Sequence, residues 1–390
     1  MGVSLARHGV PRLGGMTPRT RLSGLTLVLT VAVLLGACAP EAITPPAVTM
    51  TAVVGEHRNV VPLPPDDPMP ATAWPLTGLD AQSATEAELD RVALGIKIEN
   101  TAKGRPQKSL EYADIVFEEY INSSCTRLMA FFHSTHPEEV GPIRSARSMD
   151  PNIAGSFKTV VVASGCNYAV QATFRNLGQL LYADDFSNSS GYLQGSEGYF
   201  RVPRSQVNKD LEFRLWGRPP TFAAEAVEDG IGPAIQQFDY AYPAEVATAT
   251  VEGNPVGTID IRYSSCAHPH WVWDEAAGSW QRFEFEDPDV TLDGNQISAA
   301  NVIVFQVRVA YTQGYNPESF VIVTNAPGYV ATGGKVIPIV WSKANRGDKF
   351  HMTTLDGEPV SLAPGKTWVE LVPLSGAWSK ATIKFDDVVQ

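Results

Sequence analysis

Cysteine, basic charge and long apolar runs are all scarce in this sequence. Four of its 390 residues are cysteine, which excludes a disulfide-dense scaffold. Thirty Lys and Arg face 42 Asp and Glu, a formal charge of −12. Such a surface repels nucleic acid, and binding to DNA or RNA is not expected. No apolar run reaches the roughly 20 residues that a membrane-spanning helix needs. There is no P-loop, no Gly-x-Ser-x-Gly elbow and no dinucleotide fingerprint, so the common nucleotide and serine-hydrolase chemistries lack their signatures. Histidine gives no ligand set either. His133 and His136 stand three apart with Pro137 next, and His268 and His270 flank a strand beside Cys266. The acidic loops Asp184-Asp185 and Glu286–Asp289 lack calcium-loop spacing. No metal and no cofactor is expected.

What is present begins at the N-terminus. Residues 1–37 hold Arg7, Arg12, Arg19 and Arg21, no acid, and the apolar run Leu25–Leu35. A basic start and a short apolar core are the layout of a secretory signal, and translation from either Met1 or Met16 preserves it. With no Arg-Arg pair ahead of the run, the general secretory route is expected. The signal ends Leu35-Gly36-Ala37-Cys38, in which small residues precede a cysteine able to take a diacylglycerol group. Cys38 is the expected lipidation site, and the lipid membrane is the expected partner, on the outer face of a bacterial cytoplasmic membrane. Without the four leader arginines, 26 basic residues face 42 acidic ones, a formal −16.

Residues 38–75 are rich in Pro, Thr, Ala and Val and read as an extended tether. Beyond it, an α+β fold is expected, with an N-terminal α/β domain over 76–225 and a smaller, mostly-β domain over 240–375. Strands are predicted at 93–98, 113–118, 127–132 and 159–163. Asp150-Pro151 reads as a helix start, and Val170, Phe174, Leu177 and Leu181 give helical spacing over 167–181. In the second half, strands are predicted at 258–263, 301–311, 320–324, 335–341 and 368–373, with a hairpin at 271–285.

The densest polar segment runs from Glu99 to Arg147. Its expected ligand-binding residues are Asn100, Arg105, Gln107, Thr126, Arg127, Arg144, Ser145 and Arg147. Gly141-Pro142 sets a turn, and two guanidiniums follow three residues apart, sharing a face if the segment is a helical turn. A guanidinium fork suits carboxylate or phosphate. In so acidic a chain, these arginines either pair internally with Asp114, Glu118 or Glu119 or face an anionic ligand. Asp114 and Glu118 are the candidate acid/base residues, although four positions along a strand separate them by about 13 Å. After export, Cys125, Cys166 and Cys266 allow three pairings or none. Cys125 with Cys166 is preferred because both flank strands of one domain. That loop of about 40 residues would contribute about 4 kcal/mol.

Five ordered segments carry a resemblance: Ile96-Lys97-Ile98-Glu99-Asn100, Arg105-Pro106-Gln107, Ala113–Glu118, Thr126-Arg127 and Gly141–Arg147. Together with Leu362–Val369 they resemble the YerB family of bacterial lipoproteins. The resemblance covers about 76–375 and implies a lipid-anchored, two-domain envelope protein, and it points to no particular reaction. The chain departs from the family pattern at Ile121–Cys125, at Ser164-Gly165-Cys166 and at Arg204-Ser205. Two cysteines lie at departures, which again implies their pairing. The leading expectation is a non-enzymatic protein that binds a cell-wall polymer or envelope protein through its arginines. The alternatives are a wall-modifying hydrolase using Glu118 or Asp114, and a scaffold for a membrane enzyme.

Overall fold

The computed structural model describes residues 70–184, 193–313, 316–374 and 381–386. The signal, Cys38, the choice between Met1 and Met16, and the tether up to residue 69 lie outside the described residues. The core is one mixed sheet of eleven strands, built from both halves of the chain. From the first half come β1 (Leu94–Glu99), β2 (Ile115–Tyr120), β3 (Thr126–Phe132), β4 (Val160–Ala163) and β5 (Leu181–Ala183). Helices α1 (Asp150–Phe157) and α2 (Tyr168–Leu177) separate the later ones. The second half adds β6 (Thr258–Arg262), β7 (Pro269–Asp274), β8 (Ser279–Glu284), β9 (Asn301–Val307), β10 (Val323–Thr332), β11 (Lys335–Lys343), β12 (His351–Thr353), β13 (Thr367–Pro373) and β14 (Thr382–Asp386).

The main sheet runs β12-β11-β10-β9-β13-β2-β3-β1-β4-β5, and its eleventh strand, the short Asn254–Pro255, pairs with β11 off this path. Its order shows how the halves are joined. Strand β13, close to the end of the chain, lies parallel to both β9 and β2 and between them. The N-terminal half is therefore mixed rather than uniformly parallel, since β3 runs antiparallel to β1 and β2 while β1, β4 and β5 are parallel. Strands buried on both faces read as nearly continuous apolar runs. That is why β4 and β13 are visible in the sequence.

Alternation on β2 assigns the two faces. Ile115 and Phe117 pack with Phe131, Phe157 and Ile153, under α1. Val116 and Tyr120 pack with Trp368, Trp271 and Ile259, under the second sheet. That sheet contains β8-β7-β6-β14 and lies over the main one, with the Trp271 and Trp368 rings 5.4 Å apart.

Several local expectations change. Helix α2 ends at Leu177 rather than 181, because Gly178 takes a left-handed φ of 62° and releases Leu181 to pair with Val161. The Asn167 side chain caps its start by accepting from the Val170 N–H. Asp150 is the first residue of α1 and not its cap. The run 301–311 breaks after Val307. Strand β10 begins at Val323, missing the predicted 320–322, and continues through Pro327-Gly328 to Thr332. Proline and glycine hid that extension.

Candidate functional site

The Gly141–Arg147 segment lies across the ends of β1 and β4 in extended form, not as a helical turn. Its backbone joins both strands: Glu99 N–H donates to Pro142 O at 3.0 Å, Arg144 N–H to Lys97 O at 2.9 Å and Ser164 N–H to Arg144 O at 3.0 Å. Arg144 and Arg147 are thereby carried to the end of β3, where Arg127 pairs in register with Glu99.

The three arginines form a chain of shared acceptors. Glu99 Oε2 accepts from Arg144 Nε at 2.8 Å and Arg127 Nη2 at 3.3 Å. Ser145 O accepts from Arg127 Nη1 at 3.2 Å and Arg147 Nη1 at 3.3 Å. Arg144 also reaches Glu212 at 3.3 Å and lies 5.2 Å from the centre of the Phe213 ring. Arg147 Nη2 donates to Asn122 Oδ1 at 3.1 Å. None of the three pairs with Asp114, Glu118 or Glu119, and Arg147 has no ion pair among the described residues. Its remaining partners are backbone carbonyls.

These side chains line a cleft of about 480 Å³. Ile121, Asn122, Ser123, Cys125, Phe213 and Cys266 contribute to its wall. Four cations, Lys103, Arg127, Arg144 and Arg147, face two carboxylates, Glu99 and Glu212. Arg127 and Arg147 are only 4% and 8% exposed, yet the Nε of each has no partner. Buried donors without acceptors cost about 1–3 kcal/mol each, and the Nε groups of Arg214 and Arg282 are left in the same way. Burial and the neighbouring Arg147 cation bring the Arg127 guanidinium down to about 10. Burial raises the Glu99 carboxyl, but Arg127, the Thr101 N–H and Arg144 outweigh it and hold it below its usual value.

Beneath the cleft, wholly buried Lys97 bridges Glu119 Oε2 at 2.5 Å and Asp150 Oδ1 at 2.9 Å. Burial and the Asp150 charge push the Glu119 carboxyl up to about 8. Its Oε1 is buried without a partner.

The other expected ligand residues face elsewhere. Asn100 donates to Glu118 at 3.1 Å and to Thr126 at 2.9 Å, while Thr126 donates to Glu118 at 2.7 Å. Gln107 donates to Glu99 O at 3.0 Å. Arg105 pairs with Glu284 at 3.0 Å. They belong to a buried network between the two sheets, centred on Arg282. Arg282 pairs with Glu118 at 2.8 Å, with Glu284 at 2.9 Å and with Asp289. Glu118 lies beside Glu370 in strand register, and Glu370 accepts from Tyr263 at 2.9 Å and Trp271 at 3.0 Å. Burial raises Glu118, Asp289 and Glu370 alike. Asp114 is fully buried and accepts from the N–H groups of His133 at 2.7 Å and Ser134 at 2.8 Å. Neither catalytic candidate lines the cleft.

Arg282, Glu284 and Glu370 were not singled out in the sequence, and Asp289 was read only as part of an acidic loop. One signal could have found two members of these clusters: a charge inside an apolar strand, as in Ile96-Lys97-Ile98 and Val369-Glu370-Leu371.

The disulfide expectation is corrected. Cys125 is bonded to Cys266, with Cα atoms 4.9 Å apart and a sequence separation of 141, and Cys166 is free. Sharing a domain was the wrong criterion, because the second sheet brings the 263–267 turn onto the 121–125 loop. There Ser264 Oγ donates to Ser124 O at 2.5 Å. Cys166 lies instead near Asp150 and Arg147, and burial followed by the Asp150 charge pushes its thiol up to about 12.

A family model described as a protein of unknown function (DUF3048), N-terminal domain, matches residues 76–212, and its C-terminal counterpart matches 259–369. The chain is similar to the putative lipoprotein YerB of Bacillus subtilis (strain 168), at 26% identity over 328 residues. The match covers 79% of this chain and 89% of that protein. It is also similar to the crystal structure of the YerB protein from Bacillus subtilis, with a TM-score of 0.66 and 20% identity. That match covers 80% of this chain and 99% of the solved one, and it shows the fold.

Proposed function

The chain belongs to the DUF3048 family, to which both of its domains match, and from that premise we propose that it is a lipid-anchored envelope protein that binds an anionic ligand in the Arg127/Arg144/Arg147 cleft. The observation carrying this reading is the excess of cations on the cleft, Lys103, Arg127, Arg144 and Arg147 against Glu99 and Glu212. A carboxylate or phosphate would offset that excess. The anchor is acylated Cys38, on the outer face of the membrane after export by the general secretory route. The ligand is then a wall polymer, through its peptide carboxylates or teichoic-type phosphates, or an acidic envelope protein. Asp114 and Glu118 are fully buried and out of a polymer's reach, which weighs against hydrolysis.

The test is sedimentation with isolated cell wall. Arg144→Ala with Arg147→Ala should abolish co-sedimentation while the melting temperature falls by only a few degrees. Retained binding with a large loss of stability would mean that the arginines act only within the fold.

A further inference from the structure

We propose that the Cys125–Cys266 disulfide is a redox latch on the anion cleft: oxidised, it holds the 121–125 loop so that Asn122 fixes Arg147, and reduced, it lets that loop go and weakens the site. This rests on the cleft being the binding site.

Both cysteines are half-buried and line the cleft. The loop is closed by Ile121 N–H donating to Cys125 O at 2.9 Å. Within it, Ser123 and Ser124 take left-handed φ values of 63° and 58°. Two successive non-glycine residues in that region are held there at a cost, and surrounding contacts must impose the conformation. Two contacts do so from the second half of the chain: the disulfide, and Ser264 Oγ on Ser124 O. The 263–267 turn that presents them is itself tied, with Tyr263 N–H on Ala267 O at 3.1 Å and Cys266 N–H on Ser264 Oγ at 2.8 Å. The loop's product is Asn122, whose Oδ1 receives Arg147 Nη2. Asn122 is the one side-chain partner of that guanidinium among the described residues; its other partners are carbonyls of its own segment.

The main sheet does not depend on the latch, because β13 is inserted between β2 and β9 by backbone pairing. Opening the disulfide therefore frees a loop rather than the fold. Internal exchange with Cys166 is not the route, because a thiol pushed up to about 12 supplies almost no thiolate. The reductant is an external dithiol. It gives two electrons and two protons to the cysteine pair, leaves as its own disulfide, and Cys125 and Cys266 become thiols.

The experiment uses the full chain in detergent, with inorganic phosphate and N-acetyl-alanyl-alanine as probes, titrated by calorimetry before and after dithiothreitol. Circular dichroism monitors the fold. The expected result is binding of at least one probe by the oxidised protein, about ten-fold weaker after reduction, and restored by reoxidation. Cys266→Ser should bind as the reduced protein does, without response to dithiothreitol. Oxidised Asn122→Ala should bind equally weakly, and its reduction should add nothing. Equal affinity in both redox states overturns the latch and leaves the cleft reading standing. So does unfolding on reduction, which would make the bond a structural staple. If the oxidised protein binds neither probe, the cleft reading fails and takes the latch with it.

Discussion

Replacing Arg282 with Met tests whether one cation holds the two sheets together. The side chain is wholly buried, pairs with Glu118, Glu284 and Asp289, and lies 4.9 Å from the Trp368 ring centre. Methionine keeps much of the volume and removes the charge. Glu118, Glu284, Asp289 and Glu370 would then share a buried site with Arg105, whose ion pair there is with Glu284. Leaving a buried charge uncompensated costs about 3–5 kcal/mol. The penalty must depend on pH, because the stranded carboxylates can take up protons. Glu118, Asp289 and Glu370 are already raised in the folded state, so the folded chain holds protons that the unfolded chain has released. Stability from these groups therefore falls as pH rises above the ordinary carboxylate range. Without Arg282 they rise further and the fall steepens. Urea unfolding at pH 7.5 should show Arg282→Met less stable than the parent by about 3–5 kcal/mol, and at pH 4.5 the gap should shrink by more than half. Equal differences at the two pH values, or a loss below about 1 kcal/mol at pH 7.5, would refute the reasoning.

Four further outcomes follow from three other residues. Glu119, raised to about 8, binds a proton in the folded state that the unfolded state loses near the ordinary carboxyl value of 4.5, so stability should decline from about pH 5 to pH 9; thermal melts of Glu119→Gln should decline less over that range. Deprotonating Glu119 also adds a negative charge beneath the arginines, so phosphate binding by the parent should weaken through pH 8 and binding by Glu119→Gln should not. Asn167→Ala removes the cap of α2 and should cost about 1 kcal/mol by urea unfolding, while Gly328→Ala would place its Cβ 2.5 Å from Val304 O and should lower stability by about 1–3 kcal/mol.

Strands β1 to β4 were legible because each is a short apolar run bounded by turn residues, β6 was legible by strict alternation, and the β7–β8 hairpin by its turn at 275–278. Helix α2 was legible in register but not in length, since Leu181 satisfies helical spacing while in fact opening β5. Long-range pairing was not legible. Nothing near Ile115 or Trp368 states that β2 and β13 adjoin, although 252 residues separate Val116 from Trp368, its partner in register. The site suffered from the same blindness. Arg127, Arg144 and Arg147 were found because they are close in sequence, and Arg282 was missed because its partner Glu118 lies 164 residues away.

Strand β2 explains how one polar segment can serve two purposes. Glu118 and Glu119 are neighbours in sequence, and alternation sends them to opposite faces of the sheet. Glu118, with Asn100 and Thr126, enters the network that joins the halves through Arg282. Glu119, with Lys97, lies below the open arginines. The motif residues therefore divide by parity, not by position. On β1 to β3, those facing the second sheet are satisfied internally and hold the fold. On the helical face Lys97 and Glu99 are paired, and Arg127 keeps a buried Nε–H without an acceptor beside the cleft it lines.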